Sequence, residues 1–183
     1  MTIMSELLDR LVRDFGVTDI AGHPPAITTL KVSRENGERL IRELRDREGF
    51  THLNFIACTD WIEDGIFRLV YMLHNYDSKQ NLGIHIDIDR DNAEMTSIHT
   101  LWAQAWTYQR ELREMYGINF PGSPRLQENF CLEGWDDMPP MRRDFDTVKY
   151  STERFGHREG RVSLVPRDHM KVQLYPNRGG DEK

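Results

Sequence analysis

The strongest hydrophobic pattern in the chain lies between residues 97 and 117, where apolar side chains recur every three or four positions. This spacing places them on one stripe of an α-helix, with charged and polar residues over the remaining surface. A hydroxyl of Thr96 or Ser97 can cap the first turn, and Gly117 supplies the left-handed residue that commonly ends a helix. The pattern therefore predicts a helix whose stripe is Ile98, Leu101, Trp102, Ala105, Leu112, Met115 and Tyr116.

Shorter patterns upstream of this helix predict two more helices and four strands. From Leu82 to Asp89, aliphatic residues alternate with glycine or polar residues, which is typical of a strand with one solvated face. Short turn sequences at 59–65 and 75–78 indicate that the last three strands form an antiparallel meander. The predicted helices cover residues 6–15 and 33–48, and the predicted strands cover residues 27–32, 50–58, 66–74 and 82–89.

The order of these elements, α-β-α-β-β-β-α, predicts an α+β fold with a small antiparallel or mixed sheet and helices packed on it. After Gly117, prolines prevent long helices, yet apolar residues stay frequent as far as Phe145. Apolar side chains in an irregular segment are stable only when they are buried against another surface. We therefore expect an α+β globular domain over residues 1–118 and a long irregular C-terminal arm over residues 119–183 that docks on partner subunits, with extended pieces at 162–166 and 172–176.

Charge is unevenly distributed along the chain. Residues 1–141 hold 14 Lys and Arg against 23 Asp and Glu, a net charge of −9, whereas residues 142–183 hold 10 against 7, a net charge of +3. The acidic body argues against a nucleic-acid-binding protein. The basic C-terminal stretch fits either an acidic partner surface or a solvated tail, and the sequence leaves both interpretations open.

The sequence also bears on the compartment. No run approaches the roughly 18 apolar residues typical of a transmembrane helix. The first sixteen residues carry acidic side chains and lack the apolar core of a secretion signal. Cys58 and Cys131 are far apart and suggest no disulfide framework, so we expect a chain in a reducing cytoplasm.

Few residues are arranged for chemistry. The sequence has no Cys-x-x-Cys pair, no P-loop and no Gly-x-Gly-x-x-Gly motif, which argues against an iron–sulfur or nucleotide site in this chain. The acidic run from Asp87 resembles the start of a calcium loop, but Asn92 and Ile98 stand where that loop needs Gly and Glu. His85 and Asp87 could form a two-ligand metal site, although a solvated polar face explains them more simply. We interpret Cys131 as a small buried apolar residue rather than a reactive thiol.

Two linked motifs carry a resemblance to a known family. Residues 108–120 read YQRELREMYGINF, and residues 139–145 read PPMRRDF. Together they resemble the signature of the 30 kDa (C-type) subunit of respiratory complex I, a family that includes counterpart subunits of group 4 membrane-bound nickel–iron hydrogenases. The resemblance covers roughly residues 30 to 146. Gln109 replaces the first Glu of the signature, which indicates a diverged branch of the family. Ser123-Pro124 and Pro139-Pro140 replace two His-Pro pairs, and the loss of these pairs favours a hydrogenase-type complex.

The resemblance implies a non-catalytic scaffold subunit in the peripheral arm of an ion-translocating oxidoreductase, on the cytoplasmic face of the membrane. Its partners would be the 49 kDa-type or hydrogenase large subunit and the small subunit with the proximal iron–sulfur cluster, with membrane subunits contacted indirectly. This chain would hold no cofactor; iron–sulfur clusters, and a nickel–iron centre in a hydrogenase, would lie in those partners. The expected interface residues are Arg110, Glu111, Glu114, Tyr116, Gly117, Phe120, Trp135, Arg142, Arg143, Asp144 and Phe145.

Two interpretations of the charged motif residues stay open. Arg110 and Glu114 can form an exposed ion pair on the helix, which contributes only a few tenths of a kcal/mol (~0.3). Alternatively, Arg110 and Glu111 are buried at a contact between subunits or fix the arm, where each needs a partner because burying a lone charge costs several kcal/mol. The same two interpretations, exposed charges or charges buried at a contact, apply to Arg142, Arg143 and Asp144.

Two other functions compete with the scaffold. One is a stand-alone soluble α+β enzyme with a polar site at His85, Asp87 and Asp89, which would be a folded monomer with its own metal or substrate. The other is an adaptor that binds an unrelated partner through the arm. The paired motifs favour the scaffold, because neither alternative requires them.

Overall fold

The computed structural model describes residues 3–23 and 27–156. Within these residues the chain forms a five-stranded sheet and four helices, which confirms the α+β class. No helix of these residues is both long and apolar enough to cross a membrane. The elements are α1 (Ile3–Phe15), β1 (Thr18–His23), β2 (Ile27–Val32), α2 (Arg34–Asp46), β3 (His52–Trp61), a 3₁₀ turn (Ile62–Asp64), β4 (Ile66–Asn75), β5 (Gln80–Asp89), α3 (Ala105–Tyr116) and α4 (Thr147–Phe155).

The sheet has the strand order β1-β2-β5-β4-β3. Strands β3, β4 and β5 form the predicted antiparallel meander, with Trp61 opposite Ile66 at one turn and Asn75 opposite Gln80 at the other. Strand β2 pairs with β5 in parallel, and β1 pairs with β2 antiparallel. The sheet is therefore mixed, and β3 is one of its two edges.

The core lies on one face of the sheet. The aliphatic residues of β5 alternate as predicted, since Leu82, Ile84, Ile86 and Ile88 are all buried. Helix α2 packs closely against this strand because Gly37 has no side chain: a Cβ there would lie 2.5 Å from Ile86 Cδ1. The buried residues of α2 include Leu40, Ile41 and Leu44, as the helical stripe predicted.

Several predicted boundaries were wrong for identifiable reasons. The signature helix begins at Ala105 and not near Ser97, because residues 98–104 form hydrogen-bonded turns. Ile98 and Leu101 are nevertheless buried. Their three-residue spacing therefore indicates burial, but it does not indicate a helix at these positions. Strand β3 continues through Trp61, where a turn was predicted. Strand β1 was not predicted, because residues 18–22 are all exposed and carry no alternating pattern.

In the described part of the predicted arm, residues 119–156, the one helix is α4. The chain forms two compact units, residues 1–145 and 146–183, so the irregular segment 119–145 belongs to the unit that contains the sheet. In the second unit, α4 was not predicted; Asp146 caps it by accepting from the amides of Val148 and Lys149. The extended pieces predicted at 162–166 and 172–176 lie outside the described residues. Docking of the arm on partner subunits stays a prediction.

Candidate subunit interface

Helix α3 and the turns before it cover the open edge of β3. Four side chains from this region donate hydrogen bonds to backbone carbonyls of β3 and of the residues just before it. An edge covered in this way cannot pair with a strand of another chain. The pairs are Trp102 with Thr51, Gln104 with Leu53, Tyr108 with Asn54, and Tyr116 with Cys58, the last two at 2.9 and 3.1 Å.

Gln109, which replaces the first Glu of the signature, is completely buried. Its Oε1 accepts a 2.7 Å hydrogen bond from the hydroxyl of Ser97, which also contacts His99 Nδ1 at 2.9 Å. The sequence predicted Ser97 as a possible cap of α3, but this residue lies before the helix. Its hydroxyl instead links the preceding turn to the buried face of α3. A neutral amide suits this place, because a buried carboxylate would need a cation beside it.

Arg110 holds the irregular segment against α3. Its guanidinium lies 5.0 Å from the Trp106 ring centroid and 5.5 Å from that of Phe130, and its side chain is 15% exposed. Glu128 lies 3.9 Å away. Arginine commonly stacks on aromatic faces in this way, with an attraction of about 1–2 kcal/mol when partly desolvated. The contacts favour the interpretation in which Arg110 fixes the segment.

Glu114 performs a similar task from the next turn of α3. Its carboxylate accepts hydrogen bonds from the amides of Phe130, Cys131 and Leu132 at 2.7, 2.9 and 3.1 Å. Partial burial opposes ionisation, but these three N–H groups outweigh it and hold the pKa of Glu114 below its usual value. The carboxylate therefore binds the segment rather than Arg110, and the i, i+4 ion pair considered from the sequence is not its main contact.

The second motif is fastened to the end of α3. Arg142 Nε donates to the Tyr116 carbonyl at 2.8 Å, and its guanidinium lies 5.2 Å from the Phe67 ring centroid. Gly117 has a φ of 81°, and a Cβ there would lie 3.2 Å from Arg142 Nη2 and 3.3 Å from Pro139 Cγ. Gly117 is thus required both to end the helix and to admit the second motif.

A partly buried group of charges, which we call the Arg90 cluster, joins the second motif to the sheet. It consists of Asp60, Glu63, Arg90, Arg143 and Asp144. Asp60 accepts from Arg90 Nε and Nη2 at 2.9 and 3.1 Å and from the Arg143 amide at 2.9 Å. Arg90 Nη2 also donates to Asp144 at 2.6 Å, and Arg143 Nη1 donates to Glu63 at 2.6 Å.

The electrostatics of the Arg90 cluster follow from these contacts. Burial alone would raise the pKa of Asp60, but the hydrogen bonds from Arg90 and the Arg143 amide lower it below its usual value. Sequence reasoning missed Asp60 and Arg90, because neither lies in a motif and their partners are tens of residues away. Asp144 and Arg143 were named, but as contacts to another chain.

The family comparison agrees with the geometry of the two motifs. The family described as the respiratory-chain NADH dehydrogenase 30 kDa subunit matches residues 30–151. The chain belongs to this family. The match extends over nearly the same residues as the predicted resemblance, and it includes α3, the segment 119–145 and the Arg90 cluster. Both motifs therefore lie within the residues that match the 30 kDa subunit family.

Named relatives of the 30 kDa subunit family are moderately similar. The C subunit of NADH-quinone oxidoreductase from Moorella thermoacetica is 29% identical over 138 residues, which cover 75% of this chain and 90% of that protein. The C subunit from Hyphomonas neptunium is 31% identical over 144 residues, which cover 75% and 69%. The C subunit from Erythrobacter litoralis is 29% identical over 138 residues, and the chain spans only 54% of its length.

Two solved structures share the fold. A chain of the membrane-bound sulfane sulfur reductase, described as an archaeal respiratory membrane complex, superposes with a TM-score of 0.78 at 20% identity, covering 90% of this chain and all of that one. A trypsin-resistant fragment of Nqo5 superposes with a TM-score of 0.57 at 18% identity, covering 66% and 97%.

The structure gives most of the predicted interface residues partners inside the chain. Phe120 is fully buried in the core. The rings of Trp135 and Phe145 pack against each other at 5.5 Å, and Trp135 Nε1 donates to the carbonyls of Asp137 and Met138 at 3.0 Å. Glu111 is half-buried on α3. Whether these residues also contact a second subunit stays a prediction.

Cys131 is exposed, so its interpretation as a buried residue was wrong. The amide of Cys131 is held by Glu114 beside it. Local desolvation and the Glu114 carboxylate both raise the pKa of the Cys131 thiol. A thiol with a raised pKa is protonated at neutral pH and is a poor nucleophile.

The two carboxylates on the polar face of β5, Asp87 and Asp89, have partners within the chain. Asp87 is bound by Arg68 at 2.7 and 2.9 Å and by Lys31 at 2.8 Å, while Asp89 accepts from the amides of the second and third residues after it in a turn. Burial and the neighbouring Arg68 lower the pKa of His85. Over the described ranges, no three side chains of His, Cys, Asp or Glu form a group that could hold a metal. The carboxylates of the rival site are thus already engaged.

Proposed function

We propose that this chain is a non-catalytic scaffold subunit in the cytoplasmic peripheral arm of a complex I-like, ion-translocating membrane oxidoreductase. It binds the large catalytic subunit, of the 49 kDa or hydrogenase type, and the small subunit with the proximal iron–sulfur cluster. By holding both, it keeps cluster and active site within electron-transfer distance. Its attachment to the membrane is peripheral and runs through membrane subunits.

One observation carries the proposal: the two family motifs fasten an irregular, apolar segment to a rigid sheet. Arg110, Glu114 and Arg142 hold 119–145 in one path along α3, and the Arg90 cluster anchors its end. A segment fixed in this way loses little conformational entropy when it binds a partner. This is what a scaffold needs, because its contacts must form without a folding cost.

The comparisons support this role by the names of the relatives. Three relatives are named as the C subunit of an NADH-quinone oxidoreductase, which makes them parts of multi-subunit enzymes. The structure with the higher TM-score of the two comes from a respiratory membrane complex. The electron donor, the acceptor and the pumped ion are properties of the partners, where the iron–sulfur clusters and, in a hydrogenase-type complex, a nickel–iron centre lie.

The proposal is tested by purifying the affinity-tagged chain from native membranes in mild detergent and identifying co-purifying proteins by mass spectrometry. We expect a 49 kDa-type or hydrogenase large subunit and a small iron–sulfur subunit in equal amounts. The cysteines of the large subunit then distinguish quinone reduction from hydrogen chemistry. Recovery of the chain alone, from the soluble fraction, would contradict the proposal.

A further inference from the structure

The stretch that follows Leu126 contributes no side chain to the core. Leu126 is 8% exposed, and no later residue of the described chain is buried. Residues 127–145, which we call the strap, are described throughout, and all of them are half-buried or exposed. Burial of apolar area is the main favourable term in folding, so the sheet and its helices keep their core without the strap.

The first half of the strap is held by two side chains of α3. Glu114 accepts hydrogen bonds from the amides of residues 130–132, and Arg110 stacks on the ring of Phe130. The side chain of Glu114 is only half-buried, so these hydrogen bonds lie close to solvent. Because each of them replaces a hydrogen bond to water, it stabilises the closed position of the strap only modestly.

The end of the strap has a second anchor, on the sheet. Asp60 accepts from the Arg143 amide at 2.9 Å. Just before it, the Met141 amide donates to the Met115 carbonyl at 3.0 Å, and Arg142 donates to the end of α3 as described above. The other ion pairs of the Arg90 cluster add to this end. The strap is therefore held mainly by polar contacts.

Opening of the strap would leave few buried groups without a partner. Asp60 keeps both hydrogen bonds from Arg90, because neither residue belongs to the strap. Glu114 would bind water in place of the three amides. The Nε of Arg110, which is buried and has no hydrogen-bond partner among the described residues, would become accessible to water. Opening therefore costs far less than unfolding the sheet.

Contacts within the strap join its two ends. The rings of Trp135 and Phe145 lie 5.5 Å apart, and the Trp135 amide donates to the Leu132 carbonyl at 3.2 Å. Release of one anchor therefore loosens the other. We infer that the strap opens and closes as one unit while the sheet stays folded, and that Glu114 and Asp60 are the two anchors that hold it closed. Local opening of this kind is typical of segments with few buried apolar contacts.

Closure of the strap sets the path of the second motif. The strap also carries Met138 and Met141, which are 39% and 55% exposed. A partner that contacts these residues in the closed position would select the closed state, and its apparent affinity would fall with the closed fraction. The opening itself is a property of the chain alone, so it is tested apart from the proposed function.

Amide hydrogen exchange of the purified full-length chain, followed by NMR at neutral pH in increasing but non-denaturing urea, tests the opening. We expect the amides of Met141 and Arg143 to share one opening free energy. They should exchange at least about tenfold faster than the amides of Ile84 and Ile86 in the central strand β5. Strap amides that exchange as slowly as those of β5 overturn the inference, because strap and sheet then unfold together.

Glu114→Gln tests whether the two ends of the strap are coupled. Loss of the charged acceptor should speed exchange of the Met141 and Arg143 amides by about tenfold, although neither amide donates to Glu114. Glu133→Gln, the same change at an exposed carboxylate within the strap, is the matched control and should leave both rates unchanged. Faster exchange confined to residues 130–132 overturns the inference, because the two ends then open separately. The measurement on the original chain decides the first point even if the variant fails to fold.

Discussion

Removing the Asp60 carboxylate should destabilise the chain far more than removing any exposed charge. Its side chain is 2% exposed and accepts three hydrogen bonds, two from Arg90 and one from the Arg143 amide. The Arg90 side chain is 11% exposed, so Asp60→Ala leaves a buried guanidinium with one carboxylate instead of two. Breaking a buried ion pair from one side costs about 3–5 kcal/mol.

Asp144→Ala should cause a smaller loss of stability than Asp60→Ala. Asp144 makes one 2.6 Å hydrogen bond to Arg90 from a side chain that is 36% exposed. Solvent compensates part of that loss, so we expect a decrease of about 1–2 kcal/mol. Asp46→Ala, at the exposed pair with Arg45, is the control and should change stability by less than about 0.5 kcal/mol.

Urea denaturation of the purified full-length chain measures these free energies of unfolding. The double variant Asp60→Ala/Arg90→Met should lose less than the sum of its single variants, because neither buried partner is left without the other and the remaining carboxylate, Asp144, is 36% exposed to solvent. The reasoning would be refuted if Asp60→Ala lost less than about 1 kcal/mol, or if the two single losses were simply additive.

Three further predictions use the same assay. Gly117→Ala should lose about 1–3 kcal/mol, because it combines a positive φ with a 3.2 Å approach to Arg142, whereas Gly65→Ala, with a φ of 67° and open space, should lose less. Tyr116→Phe should lose about 1 kcal/mol by removing one hydrogen bond to the β3 edge, and no loss would show that water replaces it. Glu114→Gln should be destabilised at pH 7. Because the folded pKa of Glu114 is lowered, its stabilisation is present above pH ~4 and lost in more acidic solution, so the deficit should shrink near pH 3; a constant deficit would contradict the role of its charge.

The sequence predicted those parts of the fold in which burial follows a regular period. The alternation in β5, the stripe of α2 and the stop at Gly117 each correspond to an observed feature. Strand β1 was not predicted because it is an exposed edge strand. Such a strand is held by backbone hydrogen bonds and needs no alternating pattern of apolar side chains that a sequence could show. Residues 98–104 show the opposite error, since their apolar spacing arises in turns that face the core.

The sequence singled out the motif residues but not the contacts that they make within the chain. The motifs indicated that Arg110, Glu114 and Arg142 matter, and the structure shows that each binds a neighbouring segment of the same chain. Asp60 and Arg90 could not be found, because a long-range ion pair leaves no local pattern in a sequence. Partners of this kind become visible only when the topology brings the end of β3, the residue after β5 and the second motif together.

The central claim is that this chain joins two subunits. Chemical cross-linking of the complex purified from membranes, with mass-spectrometric identification of the linked peptides, tests it most directly. We expect links from residues 105–145 to the large catalytic subunit and to the small iron–sulfur subunit within the same assembly. Links to only one of these subunits, or links confined to other faces of the chain, would contradict the scaffold role.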